Sequence, residues 1–159
     1  MADCSPVLIH ATAVALPVDE GWIGVLLRGP SGSGKSDLAL RLIDEGARLI
    51  ADDQTELCGS VGALNLRSPP RIAGLLEVRG LGLVGVQTIA QAPLVLVADL
   101  VPAAEITRLP LAQTVTLAGV SVALLRLAPF EASATARRRL ATQTAIAGGI
   151  GALDMVAAS

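Results

Sequence analysis

Residues Gly29-Pro30-Ser31-Gly32-Ser33-Gly34-Lys35-Ser36 satisfy the pattern G-x-x-x-x-G-K-[ST] at every fixed position. The chemistry of such a stretch is phosphate binding. Its glycines let the backbone wrap, so that successive N–H groups converge on a β-phosphate. A helix that starts at the end of the loop adds partial positive charge. Lys35 bridges the β- and γ-phosphates as a point charge, and the Ser36 hydroxyl is a magnesium ligand. The implied ligand is a nucleoside triphosphate with Mg2+. The loop by itself does not say what receives the phosphate.

Phosphoryl transfer also needs a carboxylate near the metal and, for a hydroxyl acceptor, a base. Asp52-Asp53 follows Arg48-Leu-Ile-Ala51, and Asp99 follows Leu94-Val-Leu-Val-Ala98. Adjacent carboxylates on an extended backbone point to opposite sides. One of the pair therefore serves the site while the other caps or orients. Glu77 and Arg79 alternate within Leu75–Gly82 and share one side of a strand. They read either as an acid–cation pair at a phosphate site or as a solvated strand face. His10, the single histidine, lies on the strand before the loop strand. It either reaches the same sheet edge or is structural.

The surrounding pattern predicts the elements that hold these groups. Val7 to Leu16 alternates as a strand, and Pro17 to Gly21 is a turn. Trp22 to Leu27 is a buried strand running into the loop. Ser36 to Glu45 is an amphipathic helix closed by Gly46. Further strands are expected at Arg48–Asp52, Leu75–Val78, Leu94–Leu100, Thr114–Leu117 and Val120–Leu127. Thr55–Cys58 and Ala63–Leu66 form a hairpin across Gly59–Gly62. Ala103–Leu109 is a turn or short helix. Ala132–Ile146 is a closing helix, with Leu140 and Ile146 inward and Arg137, Arg138 and Arg139 partly outward. Those arginines either recruit an acidic partner or form a solvated face.

Composition removes several function classes. Hydrophobic residues make up 52% of the 159, charged residues 16% and aromatic residues 1%. The chain is too apolar to be disordered, and its length fits one domain with an aliphatic core. The net charge of -2 and the near absence of rings argue against a nucleic-acid partner. With only Trp22 and Phe130 as rings, the nucleotide base is expected to lack an aromatic sandwich and base selectivity to be weak. Mean hydropathy is +0.63. The longest uncharged runs, Gly80–Ala98 and Leu109–Leu125, are broken by Gln, Thr, Pro and Gly, and each reads as two buried strands with a turn. No membrane span is expected; the high hydropathy reports a sheet covered by helices. Cys4 and Cys58 form no metal cluster and read as free thiols in a reducing cytoplasm. The start MADCSPVLIH lacks the basic region of a signal peptide.

Four segments in order resemble a known family: His10; Gly29 through Asp37; Arg48-Leu-Ile-Ala-Asp-Asp53; and Glu77-Val-Arg-Gly-Leu-Gly82. Across residues 8 to 86 they are similar to the catalytic domain of bacterial HPr kinase/phosphorylase. A generic phosphate-loop protein would not carry both of the last two segments.

The resemblance implies an α/β fold with a mixed sheet and a Walker A helix, similar to phosphoenolpyruvate carboxykinase. It implies an ATP- and Mg2+-dependent serine kinase acting on HPr, the small phosphocarrier of the sugar phosphotransferase system. By the same resemblance Asp53 takes the proton of the HPr serine, and Lys35 stabilises charge. Ser36 and Glu77 hold magnesium, His10 sits at the catalytic centre, and Arg79 belongs to the signature segment. Arg108 aligns more loosely with a catalytic arginine.

The expected organisation is a single catalytic domain over residues 1–159 without an N-terminal regulatory domain. That resembles the short alphaproteobacterial forms. Ala128–Arg139 stands where the family has a Pro-Gly-Arg-Asn loop tied to dephosphorylation, so the kinase direction alone is expected. The helices that grip a neighbour's HPr are abbreviated, and a homo-oligomer is neither required nor excluded. Two competing readings stand beside this one. One is a small-molecule kinase or nucleotide hydrolase with Asp99 as the metal acid. The other is a non-catalytic ATP-binding regulator.

Overall fold

The computed structural model describes residues 5–60, 62–108 and 111–148. Eleven strands and two helices follow in chain order. They are β1 (Val7–Ile9), β2 (Thr12–Val18), β3 (Gly21–Arg28), α1 (Lys35–Asp44), β4 (Arg48–Ala51), β5 (Thr55–Ser60), β6 (Ala63–Arg67), β7 (Leu75–Val78), β8 (Gly82–Gly85), β9 (Gln91–Leu100), β10 (Gln113–Leu117), β11 (Val120–Leu127) and α2 (Ala134–Gly148). A nine-stranded sheet runs β1-β5-β6-β9-β3-β2-β4, with β11 also on β9 and β10 on β11; β7 and β8 form a separate two-stranded ribbon. β3, β9 and β11 are mutually parallel. β2 runs antiparallel to both β3 and β4. The expected mixed α/β sheet with a helix after the loop strand is what forms.

Strand alternation sorts the core into two layers. Val14, Leu16, Ile23, Val25, Leu27, Leu96 and Ala98 point to one face and pack with Leu38 and Leu42 of α1 and Ala134 and Ala141 of α2. The intervening Ala13, Ala15, Leu26 and Val97 point to the other face. There they meet Leu57, Leu66, Ala92 and Val122, with no helix residue in the cluster. Among the described residues the helices thus cover one face only, and strands of the curling sheet close the other. This corrects the expectation of strands doubly covered by helices.

The close approach of β6 and β9 to β3 explains one glycine. A Cβ on Gly24 would lie 2.8 Å from Leu66 Cδ1 and 3.1 Å from the Pro93 carbonyl oxygen. Leu66 is fully buried, so it has little room to yield. Gly24→Ala is expected to cost about 1–3 kcal/mol through overpacking. Thermal melting checks it: a midpoint lower by roughly 2–4 °C per kcal/mol is the expected result for a domain of this size.

Several local expectations are revised. Val7–Leu16 is not one strand: β1 pairs with β5 and β2 pairs with β3 and β4, and the chain changes partner at His10–Ala11. Arg79 lies in the turn between β7 and β8, beyond the strand that carries Glu77. The Gly80–Ala98 run does not supply two buried strands, because Leu83 on β8 is exposed. Ala103–Glu105 forms a single 3₁₀ turn. Among the side chains described on α2, the buried ones are Ala134, Arg138, Ala141 and Thr142, a stripe at helical spacing. Leu140 is exposed and Arg138 is inside, the reverse of the expectation, while the side chain of Ile146 lies outside the described residues. Cys58 is disulfide-bonded, which overturns its reading as a free thiol and the redox argument that rested on it. Cys4 lies outside the described residues, as do residues 149–151 where the end of the last helix was expected.

No helix among the described residues is long and apolar enough to cross a membrane.

Candidate active site

The phosphate loop joins the end of β3 to α1. Ser33 N–H donates to the Pro30 carbonyl at 3.0 Å, tightening the loop into a turn. Gly32 and Gly34 have φ of +82° and +100°, which side-chain-bearing residues rarely adopt. At Gly34 the space is also taken, because a Cβ there would stand 3.0 Å from Phe130 Cζ. One of the two aromatic rings therefore lies against the loop, a placement that composition did not reveal. The other, Trp22, is covered by Arg48, whose guanidinium carbon is 4.7 Å from the ring centroid.

Within the loop Lys35 is 6% exposed, and its ammonium donates to the carbonyls of Gly29 and Pro30 at 2.7 and 3.1 Å. It is held over the concave side of its own loop. The Ser33 hydroxyl is buried with no hydrogen-bond partner. A buried hydroxyl without a partner is costly unless a ligand completes it. A phosphate oxygen is an acceptor of the right kind.

The two adjacent aspartates part company immediately after β4. Gln54 N–H donates to the Asp52 carbonyl at 2.7 Å, and Asp53 sits at φ +66°. Asp is among the few residues that tolerate this left-handed conformation. The divergence is thus made by a tight turn, whereas the sequence pattern suggested extended alternation. Asp52 turns inward and is 8% exposed. Its Oδ1 accepts from Ser36 Oγ at 2.8 Å and Thr12 Oγ1 at 3.0 Å, and its Oδ2 accepts from Glu77 N–H at 3.0 Å. Asp53 turns outward, its side chain 63% exposed, and accepts from His10 Nε2 at 2.5 Å. Thr12 ties the two together, since its hydroxyl also accepts from Asp53 N–H at 3.1 Å.

Four segments that are distant in sequence are therefore joined: His10–Thr12, Ser36, Asp52–Asp53 and Glu77. The Glu77 side chain is exposed, and Glu77 enters the network through its main chain. Thr12 was missed by sequence reasoning. Its only signal is a hydroxyl on a strand whose other residues, His10 apart, are apolar.

Asp99 is not in this network. It ends β9 beside Arg28 at the end of β3, and the two form a forked pair at 2.7 and 2.9 Å. Arg79 and Arg108 are exposed, and no contact of either joins them to the network among the described residues. Nor is a cluster of three His, Cys, Asp or Glu side chains present among those residues. Magnesium does not require one, because it is commonly held by one or two carboxylates together with phosphate oxygens and water. The Ser36 hydroxyl and the Asp52 carboxylate bonded to it fit that donor set.

A family model described as the HPr serine kinase C-terminal domain matches residues 8–99. Those residues include the whole network and exclude Arg108 and α2. Over 72 residues the chain is 49% identical to the HPr kinase/phosphorylase of Clostridium beijerinckii, covering 45% of this chain and 24% of that protein. Over 124 residues it is 40% identical to the one from Burkholderia lata, covering 71% of this chain and 38% of that protein. Its structure is similar to that of the HPr(Ser) kinase/phosphatase from Coxiella burnetii, with a TM-score of 0.71 and 25% identity over 89% of this chain and 95% of that one. The aligned stretches amount to between 24% and 38% of the length of these two curated relatives.

Proposed function

The chain belongs to the family of HPr serine kinase C-terminal domains, and from that premise we propose that it is an ATP- and Mg2+-dependent serine kinase whose substrate is HPr. One observation carries the proposal. Of two adjacent carboxylates, one is turned in onto the loop's serine and the other is turned out to solvent beside a histidine.

In this reading the loop amides and Lys35 hold the triphosphate. Its β- and γ-oxygens take over the donors that Lys35 now gives to Gly29 and Pro30. Ser36 and Glu77 are the residues that would hold magnesium, and Asp52 positions both. When bound, the metal neutralises charge on the phosphates. Asp53 accepts the proton of the incoming serine hydroxyl as the oxygen attacks the γ-phosphorus. Its exposure suits a protein substrate, which must deliver the serine from outside. His10 holds the Asp53 carboxylate in place through its Nε2–H. Arg79, in the turn after the Glu77 strand, is exposed and is proposed to face the incoming HPr, and Arg108 is proposed only from the family resemblance. The setting is the cytoplasm, where a phosphocarrier would be met. Reverse phosphorolysis is not part of the proposal.

The competing small-molecule reading needs Asp99 as the metal acid, and that carboxylate is already occupied by Arg28. Asp99→Asn is expected to lose about 1–2 kcal/mol from the weakened pair while phosphoryl transfer persists. A melt and a rate measurement on this variant check both halves. Steady-state ADP release tests the function itself. The rate should rise with HPr concentration and saturate. A rate that is indifferent to HPr would favour a hydrolase or small-molecule kinase.

A further inference from the structure

At the opposite end of α1 from the phosphate loop lies a cavity of about 460 Å³ that the proposed reaction does not use. Ten helical residues, about 15 Å of rise, separate the two. Leu16, Ile23 and Leu42 form an apolar wall, Arg138 and Arg139 line it from α2, and Asp19 and Glu45 contribute carboxylates.

Arg138 is the unusual member. It is 4% exposed, and its Nε has no hydrogen-bond partner. Its neighbours on the helix are paired, Arg137 with Glu131 at 2.7 Å and Arg139 with Glu45 at 3.2 Å. Among the described residues no carboxylate is ion-paired with Arg138 itself. Burial above all, together with the adjacent Arg139, lowers its guanidinium to about 10 against the opposing pull of Glu45. It therefore still carries its charge at neutral pH. A buried cation with no direct ion-pair partner is costly, and such groups are normally paired or hydrogen-bonded.

We propose that this cavity binds a small aliphatic carboxylate, with its anionic end on Arg138 and its hydrocarbon on Leu16, Ile23 and Leu42. The planar guanidinium fork matches a carboxylate in geometry. The volume lies in the ordinary range for small-molecule sites, and the wall is apolar as such sites are. Arg139 is paired with Glu45, and Asp19 balances Arg138, so the lining has no surplus positive charge and favours a single negative charge over a dianionic phosphate monoester. This site is independent of the kinase reading, since it shares no residue with the loop network.

The test is calorimetric titration of the full chain with hexanoate, with butyl phosphate as the comparison. Hexanoate should bind saturably at one site and raise the melting temperature. Arg138→Met should weaken binding by about tenfold or more while melting, without ligand, at or above the parent temperature. If Arg138→Met does not fold, Arg138→Lys keeps the charge and loses the fork, and should bind hexanoate several-fold more weakly. Absence of saturable hexanoate binding, undiminished binding by the variant that folds, or tighter binding of butyl phosphate would each overturn the proposal.

Discussion

Asp53→Asn should abolish most phosphoryl transfer to HPr while leaving nucleotide binding and stability nearly unchanged. The expected loss in kcat is about 10²- to 10⁴-fold, the range for removing a positioned general base. The variant is well suited to isolate chemistry from folding. Asn is the other side chain that readily accepts the left-handed conformation required at φ +66°. Its amide oxygen can still accept from His10, and the pair it replaces is solvent-exposed. Exposed pairs of this kind contribute little to stability, so the melting temperature should stay within a degree or two. Rates at saturating ATP, a nucleotide titration and a melt together give the result. A variant that transfers phosphate at the parent rate would remove Asp53 from the mechanism.

Asp52→Ala should instead damage the fold. One buried carboxylate accepts from three elements, namely β2 through Thr12, α1 through Ser36 and β7 through the Glu77 amide. Its removal leaves three donors to be re-satisfied in a nearly water-free spot. At about 1–3 kcal/mol for each donor left unsatisfied, the cost is about 3 kcal/mol or more. The melting midpoint should then fall by roughly 6–12 °C. Asp52→Asn should lie between the parent and the alanine variant. Its oxygen can keep Thr12 and Ser36, but its NH2 then faces the Glu77 N–H, donor against donor. Thermal melts of the three proteins establish the order. If Asp52→Ala costs no more than an ordinary surface substitution, the carboxylate is not the junction described here.

What the amino-acid sequence disclosed follows the range of the interactions involved. The phosphate loop was legible because its determinants are contiguous: glycines, Lys35, Ser36 and a helix behind them. The Asp52-Asp53 pair was legible as a pair, but its division of labour depends on Thr12 and Glu77, which lie 40 and 25 residues away from Asp52. The alternation from Val7 to Leu16 hid a change of partner at His10, since β1 and β2 share a local pattern and differ only in the strands they join. Arg138 is not legible as the buried one, because three consecutive arginines on an alanine-rich helix give no local sign of which one faces the sheet. The Gly80–Ala98 run reads as buried because an apolar run does not show that the ribbon carrying Leu83 stands apart from the main sheet. The family resemblance, carried by residues 8 to 86, falls within the span matched by the family model.

The central claim is transfer of a phosphoryl group from ATP to a serine of HPr. Its most direct test is to incubate the chain with γ-labelled ATP, magnesium and HPr, and to map the label by peptide mass spectrometry. The account predicts phosphoserine on HPr, dependent on ATP and magnesium and absent with Asp53→Asn. Consumption of ATP without phosphoserine on HPr would contradict it.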